Sequence, residues 1–284
     1  MRKGFFIIFC ITALFAQDNF IGDVFDRGKI DYGNRTIQAT GIGFIPSNVI
    51  NAGQARRSAM RIAKQDALRQ LIEIVNGVNV TSETTISGAM FDDMIKTQVQ
   101  GAIRGARRVG QPTYLSDTSV EVIYEVSMND ISRVLLPLAE KAPTLNYNDV
   151  NTSAPSSGTA SSSEATSSQK SGGVTGIIID ATGLGLRPAM SPRILNQDGS
   201  VLYGPGQYSR DYAASNGVVG YAKSLDQAKG DSRVQGNPLV LRASSASGSS
   251  SVDVIISYTD SGALSTADAS AGLLKNCRVM FVLD

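Results

Sequence analysis

Residues 51–78, NAGQARRSAMRIAKQDALRQLIEIVNGV, decide the fold of the first half of the chain. Apolar side chains recur every four residues through this stretch, a spacing that stacks them on one face of an α-helix. The repeating positions are Ala55, Ala59, Ala63, Ala67, Leu71 and Val75. Ile62, Leu68 and Ile72 widen the apolar stripe. Because alanine side chains are short, we predict that this helix lies closely across a sheet.

Both ends of the predicted helix have boundary signals. Asn51 is a residue type that caps helix N-termini, and Asn76-Gly77 predicts a left-handed stop at the C-terminus. Basic residues occupy the outer faces, and the ordinary interpretation is a solvated face on a packed helix. The alternative is a basic docking surface for another protein, with Arg57, Arg61 and Lys64 as its candidate residues.

Composition narrows the possible functions. The chain has 284 residues, enough for about two ordinary domains, and 42% of them are hydrophobic. A formal net charge of +1 argues against broad nucleic-acid binding, which usually shows as a basic excess. The sequence contains no histidine, which excludes Ser-His-Asp and Cys-His catalysis and most zinc sites.

The first residues predict export. Residues 1–16, MRKGFFIIFCITALFA, have a basic start and a short apolar run, as in a secretory signal peptide cleaved after Ala16. A lipoprotein signal at Cys10 is the competing interpretation, although Phe9 occupies the place where a small residue is required. No later stretch predicts a transmembrane anchor. After cleavage Cys277 is the remaining cysteine, in an apolar terminal strand, which predicts a buried thiol and no internal disulfide.

The first predicted domain spans residues 36–141, after a polar arm at residues 17–35 that either docks on a neighbour or leads in flexibly. Its pattern is β-α-β-α-β-β-α. A strand precedes the long helix, a hairpin around Ser116-Asp117 follows a weaker second helix, and a closing helix contains Pro137. This order predicts an α+β domain with helices on one face of a small antiparallel sheet.

A change of composition separates the second domain from the first. Residues 142–173 are rich in serine and nearly free of large apolar side chains, which predicts a disordered linker. Residues 174–284 then alternate apolar strands with short helical pieces, and Asn196 to Gly199 form a hairpin turn. The fold class predicted for the whole chain is α+β, with two small domains that each pack helices on an antiparallel or mixed sheet.

Paired carboxylates are the remaining route to catalysis, because glycosidases need two acids across a cleft. Asp180 is the best single candidate, since it ends a buried strand beside the loop GLGLRP. Arg187 lies in that loop, and a structural carboxylate–guanidinium clasp with Asp180 is the preferred interpretation. We therefore predict no enzyme activity, no cofactor and no metal.

A tyrosine-rich loop offers a different kind of site. The tyrosines of YGPGQYSRDY, which are Tyr203, Tyr208 and Tyr212, could line a groove for a sugar polymer or a peptide. They could equally anchor the loop to the core, and this is the preferred interpretation. Asp180 and Arg187 lie in the same part of the sequence and are grouped with them as candidate loop or polymer contacts.

The leader, the strand TIQATGIGF and the helix NAGQARRSAMRIAKQDALRQLIE, followed by a β-hairpin, resemble the N-terminal domains of the flagellar assembly T and P proteins. They are also similar to related small outer-membrane lipoproteins. The segments GIIIDATGLGLRPAMSPRILNQDG and VDVIISYTDSG resemble the second half of longer uncharacterised members. The resemblance implies a non-catalytic envelope protein that builds periplasmic or outer-membrane-associated rings.

We expect an exported structural protein of the periplasm, outer membrane or cell surface. It should self-associate or dock on other envelope proteins, with the flagellar apparatus as the expected setting. The alternative is a module that binds cell wall or another surface polymer. Expected partners are other copies of the chain and envelope or flagellar proteins, with no nucleic acid among them.

Overall fold

The fold is α+β, as predicted, with two sheets that each have helices packed on them. A computed structural model describes residues 20–45, 51–90, 92–115, 119–139 and 173–284. The predicted signal peptide and residues 142–172 of the predicted linker lie outside the described residues, as does the turn at Ser116-Asp117.

The first sheet has five strands in the order β1-β2-β3-β5-β4, and every pairing in it is antiparallel. Its strands are β1 (Val24–Phe25), β2 (Gly28–Asp31), β3 (Thr36–Phe44), β4 (Arg107–Tyr114) and β5 (Ser119–Ser127). The interpretation of residues 17–35 as a separate arm is wrong for the described part, because β1 and β2 form a hairpin that extends this sheet. The hairpin pairs with β3 through residues 36–39.

Helix α1 (Ala52–Asn76) crosses the first sheet as its sequence predicts. The Asn51 side chain accepts the Gly53 and Gln54 N–H groups and so caps the helix. The alanine ridge lies over β3, where a Cβ on Gly43 would be 2.0 Å from the Ala59 carbonyl oxygen. Only glycine permits this approach. The predicted left-handed stop is wrong, because Gly77 has a right-handed φ of −83°.

Three further helices complete the first half: α2 (Ile86–Ala89), α3 (Asp93–Arg104) and α4 (Met128–Ala139). Helix α4 begins directly after β5, and Asp130 lies in its first turn. Pro137 lies within the last turns of α4 without ending it. One face of α4 packs into the hydrophobic core through the buried side chains Ile131, Leu135 and Leu136.

The second sheet has seven strands in the order β8-β7-β11-β10-β6-β12-β9. Strand β6 (Ile177–Asp180) is fully buried and pairs in parallel with both its neighbours, so its near-continuous apolar sequence is typical of a central strand. The other strands are β7 (Ile194–Leu195), β8 (Val201–Tyr203), β9 (Gly220–Ala222), β10 (Leu239–Ser247), β11 (Asp253–Ile256) and β12 (Val279–Val282). The helices are α5 (Arg210–Asn216), α6 (Leu225–Gly230) and α7 (Tyr258–Ala271).

The two halves share a hydrophobic core. Tyr32 from the β2–β3 turn meets Tyr221 of β9 edge to face at 5.8 Å, and Tyr221 meets Phe281 of β12 in the same manner at 6.1 Å. Backbone N–H groups of Met190 and Ser191 donate to the carbonyls of residues 79 and 80. Helix α4 packs against α5. The first sheet and the second are therefore joined by both apolar packing and hydrogen bonds.

Candidate functional site

The three predicted basic docking residues lie about one helical turn apart on α1 and differ in what flanks them. The Lys64 ammonium lies 5.8 Å from the centre of the Tyr124 ring of β5, so it covers that side of α1. Arg61 lies toward the opposite side, beside Phe44 of β3. Arg57 is exposed on the outer face. Arg61 therefore lies next to a surface recess.

That recess, which we call the basic hollow, has a volume of about 710 Å³ and lies between α1 and the edge of β3. Two large apolar side chains are exposed in it, Phe44 at 60% and Ile62 at 41%. The expectation that Ile62 widens the buried stripe is therefore wrong, because its place on α1 lies beyond the edge of β3. The residues that line the basic hollow are Arg27, Ile42, Phe44, Arg61, Ile62, Gln65, Asp66 and Arg69.

The basic hollow borders an unpaired stretch of sheet edge. Strand β2 covers residues 36–39 of β3, so among the described strands none pairs with this side of β3 beyond Thr40. The Asp66 carboxylate accepts the Ile42 N–H at 2.9 Å and is itself bound by Arg27 and Arg69. Burial acts to raise the pKa of Asp66, but these hydrogen bonds and charges outweigh it and hold the pKa below its ordinary value.

A second recess, the acidic hollow, continues along the same flank of α1 and has a volume of about 330 Å³. Phe25 is 42% exposed at this edge of the sheet. Arg27 borders both recesses, so the two are adjacent. The residues that line the acidic hollow are Phe25, Asp26, Arg27, Gln70, Glu73, Ile74 and Gly77.

Charge changes sign along this flank of α1. Arg61 and Arg69 lie at the basic hollow, and Glu73 lies at the acidic hollow with Asp26. At a rise of about 1.5 Å per residue, Arg61 and Glu73 are about 18 Å apart along the helix, too far to pair within one chain. The flank thus has an exposed apolar side chain at each end. One end is positively charged and the other is negatively charged. Sequence periodicity indicated α1 but not the polarity of this flank, because Asp26 and Phe44 come from other elements.

A buried ion pair lies where the two halves meet. Arg193 donates from its backbone N–H at 2.8 Å, from Nε at 3.0 Å and from Nη2 at 2.7 Å to the Asp253 carboxylate, which is fully buried. Arg193 Nη2 also donates to Ser82 and Glu83 of the first half. Burial acts to lower the pKa of Arg193, but the bonds to Asp253 outweigh it and raise that pKa. This Arg193 cluster is built to hold the halves together.

The predicted clasp between Asp180 and Arg187 is wrong. Asp180 instead accepts from Arg242 Nη1 at 2.9 Å and from the Thr182 hydroxyl at 2.7 Å, because the parallel pairing of β6 with β10 sets Arg242 opposite Asp180. Burial acts to raise the pKa of Asp180, but the Thr182 and Arg242 bonds lower it below its ordinary value. A carboxylate held ionised by a cation is suited to structure rather than to proton transfer.

Two of the three candidate tyrosines are buried. The Tyr203 ring has 0% exposure, and its hydroxyl donates to the Val218 carbonyl at 2.7 Å. Tyr208 packs edge to face on Tyr203, and its hydroxyl shares a hydrogen bond with the Ser191 hydroxyl at 2.9 Å. Tyr212 is 38% exposed. A polymer groove that requires all three rings on the surface is therefore not formed.

Across the described ranges, no three side chains of the His, Cys, Asp and Glu types converge in a way that could hold a metal ion. No helix in those ranges is both long enough and apolar enough to cross a bilayer. Cys277 is buried as a free thiol, and burial raises its pKa.

Comparison with known proteins concerns the second half of the chain. No curated protein matches the sequence. Residues 176–284 match the sequence model of a family described as Treponema pallidum Tp0624, second domain. The matched residues contain every strand of the seven-stranded sheet, β6 to β12, and none of the first sheet. The second half of the chain is therefore similar in sequence to that domain family.

Proposed function

We propose that this protein is a non-catalytic structural component of the cell envelope that self-associates through the flank of α1. The observation that supports this proposal is the self-complementary character of that flank, in which the basic hollow and the acidic hollow lie side by side with exposed apolar residues in each. Exposed apolar surface rimmed by charge is typical of protein–protein contact sites.

The proposed cellular setting rests on the sequence. The signal-like residues 1–16 support export to the periplasm, the outer membrane or the cell surface. The resemblance of the first half to flagellar assembly proteins supports a place in the flagellar apparatus. The pairing of Asp180 with Arg242 supports a non-catalytic role, since it occupies the best candidate acid.

The proposed contact has two-fold symmetry. When two copies place their α1 helices antiparallel across a two-fold axis, the basic hollow of each copy faces the acidic hollow of the other. Arg61 of one copy then lies near Glu73 of its partner, and the same contact forms a second time by symmetry. Phe25 and Phe44 lie at the two ends of this flank and would be covered in the same step.

Each exposed ion pair of this kind contributes about 1 kcal/mol or less, so two symmetry-related pairs contribute up to about 2 kcal/mol. Reversing one charge should therefore raise the dimer Kd by roughly 30-fold. The charges set the orientation of the contact, while the covered apolar surface supplies most of its affinity.

A charge-swap series tests the proposal. Sedimentation velocity across a concentration range measures the dimer Kd of the wild type and of the Arg61→Glu, Glu73→Arg and double variants. Each single variant should weaken the dimer, and the double variant should restore it, because the reversed charges pair again across the axis. Lys96→Glu is the matched control, since Lys96 is exposed on α3 away from both hollows.

A wild-type protein that stays monomeric at millimolar concentration contradicts the proposal, and so does a double variant no tighter than the singles. A pull-down on purified cell-wall material distinguishes self-association from polymer binding. A polymer-binding module would be retained on the material, whereas self-association through α1 gives no retention. Tyr212→Ala is the variant for that arm, as it is the exposed member of the three tyrosines.

A further inference from the structure

A polar cleft of about 270 Å³ lies between the two halves. The turn contributes Tyr32, Gly33 and Arg35, and the second half contributes the rest of the wall. The residues from the second half are Tyr212, Asn216, Val219, Gly220, Tyr221, Asp231, Ser232 and Arg233. Neither half forms this cleft alone.

Two guanidinium groups enter the cleft and neither is paired with a carboxylate among the described residues. Arg35 is held by α4, donating from Nε to Asn129 at 2.7 Å and from Nη2 to Ser132. Arg233 is held by backbone, donating from Nη1 to the carbonyls of Gly217 at 3.0 Å and Cys277 at 2.9 Å. Both side chains are therefore fixed by neutral acceptors rather than by carboxylates.

Each guanidinium keeps a nitrogen with no hydrogen-bond acceptor in the described part of the chain: Nη1 of Arg35 and Nε of Arg233. Burial, and then the charge of Arg233, lower the pKa of Arg35 to about 10. Two like charges held in a shared cleft repel each other, so a structural role alone leaves this arrangement unfavourable. An anion between them relieves the repulsion.

The backbone is also specialised at this point. Arg35 has a φ of 54°, a left-handed backbone conformation that residues other than glycine and asparagine rarely adopt. Gly217 has a φ of 88°, and a Cβ there would be 1.9 Å from Arg35 Nη1. The chain therefore bends at Arg35 and omits a side chain at Gly217, and both features place the Arg35 guanidinium at the cleft. Such strain is concentrated at functional sites.

We propose that the cleft binds an oxyanion group, a carboxylate or a phosphate, between Arg35 and Arg233. Planar guanidinium groups recognise both anions through paired N–H donors. The cleft holds about nine water volumes of ~30 Å³ each and is slightly smaller than a typical ligand pocket, so it fits the charged end of a larger molecule. Asp231 supplies the acidic side chain of the lining, and its Oδ1 accepts the backbone N–H of Arg233.

Thermal unfolding of the whole chain in sodium phosphate, sodium acetate and sodium chloride, at matched ionic strength, tests the proposal. The binding anion should raise Tm by about 3–6 °C at ten times its Kd, and above Kd the rise should follow the logarithm of the anion concentration. A rise with phosphate alone assigns a phosphate group, and a rise with acetate alone assigns a carboxylate. Arg35→Gln should remove the rise.

Ser232→Glu keeps the test decisive if Arg35→Gln does not fold. Ser232 is exposed at the rim, so the new carboxylate can enter the cleft while both arginines remain. Without added anion this variant should be at least as stable as the wild type, and it should no longer respond to added anion. Ser265→Glu, on the exposed face of α7, should respond as the wild type does. The absence of a rise with either anion relative to sodium chloride overturns the proposal, and so does an undiminished rise in Ser232→Glu. Both results are independent of self-association through α1.

Discussion

Replacing Asp253 by asparagine tests how strongly the Arg193 cluster joins the two halves. The substitution keeps the size of the side chain but removes the charge that neutralises Arg193, whose side chain is only 10% exposed. Breaking a buried ion pair costs about 3–5 kcal/mol, because the remaining charge stays buried without compensation. Glu83 remains beside Arg193 and is partly exposed, so we expect the lower end of that range.

Urea unfolding followed by circular dichroism measures this loss. A decrease of about 3 kcal/mol in the free energy of unfolding corresponds to a fall in Tm of roughly 6–12 °C for a chain of this size. Asp130→Asn is the matched control, because Asp130 pairs with Arg133 on the surface and both side chains are more than half exposed. The control should lose less than about 1 kcal/mol.

The comparison of the two variants decides the result. If Asp253→Asn loses less than about 1 kcal/mol, the buried charge is not needed and the reasoning from burial is refuted. A decrease that is equal in both variants refutes it as well, since exposure would then have no influence on the value of an ion pair.

Three further perturbations probe other parts of the fold. Gly41→Ala should lower the free energy of unfolding by about 3 kcal/mol in urea, because the new Cβ would lie 2.1 Å from the Ala63 carbonyl oxygen and α1 would have to shift. Asp66→Asn should flatten the acid limb of a stability–pH curve. The lowered pKa of Asp66 stabilises the fold above its unfolded value of 3.8 and loses that effect as pH falls through the folded-state pKa. The Cys277 thiol should react with a maleimide in urea but not in the native protein, as peptide mass spectrometry would show.

Local patterns predicted the elements that depend on local chemistry. The four-residue spacing of alanines placed α1, and Asn51 caps it as expected. The Asn196–Gly199 turn connects β7 with β8, as expected. It depends on local chemistry, since the Asn196 side chain accepts a hydrogen bond from the Asp198 N–H within the turn. The central strand β6 also lies where its apolar sequence indicates, ending at Asp180.

Features that depend on distant parts of the chain were not predictable in this way. Asp180 pairs with Arg242 rather than with the nearer Arg187, since strand pairing brings together residues far apart in sequence. The short strands β1 and β2 are not predictable from the sequence, because two to four residues give little periodicity. The burial of Tyr203 required knowledge of what covers its loop.

The recesses and the cleft illustrate the same limit. The basic hollow combines side chains of α1 with Phe44, and the cleft combines the β2–β3 turn with the loop that holds Arg233. Each residue has an ordinary local sequence, so no motif marks it. The basic composition of α1 did indicate a surface of interest, but it could not tell which of its arginines faces a recess.

The packing of α4 on α5 has a consequence for how the second half could be reused in other proteins. The buried residues Ala213 and Ala214 are covered by a helix that belongs to a different part of the chain. If residues 176–284 were transferred to another protein without α4, this face of α5 would be exposed to water. A protein that contains this fragment would therefore need another apolar surface to cover Ala213 and Ala214.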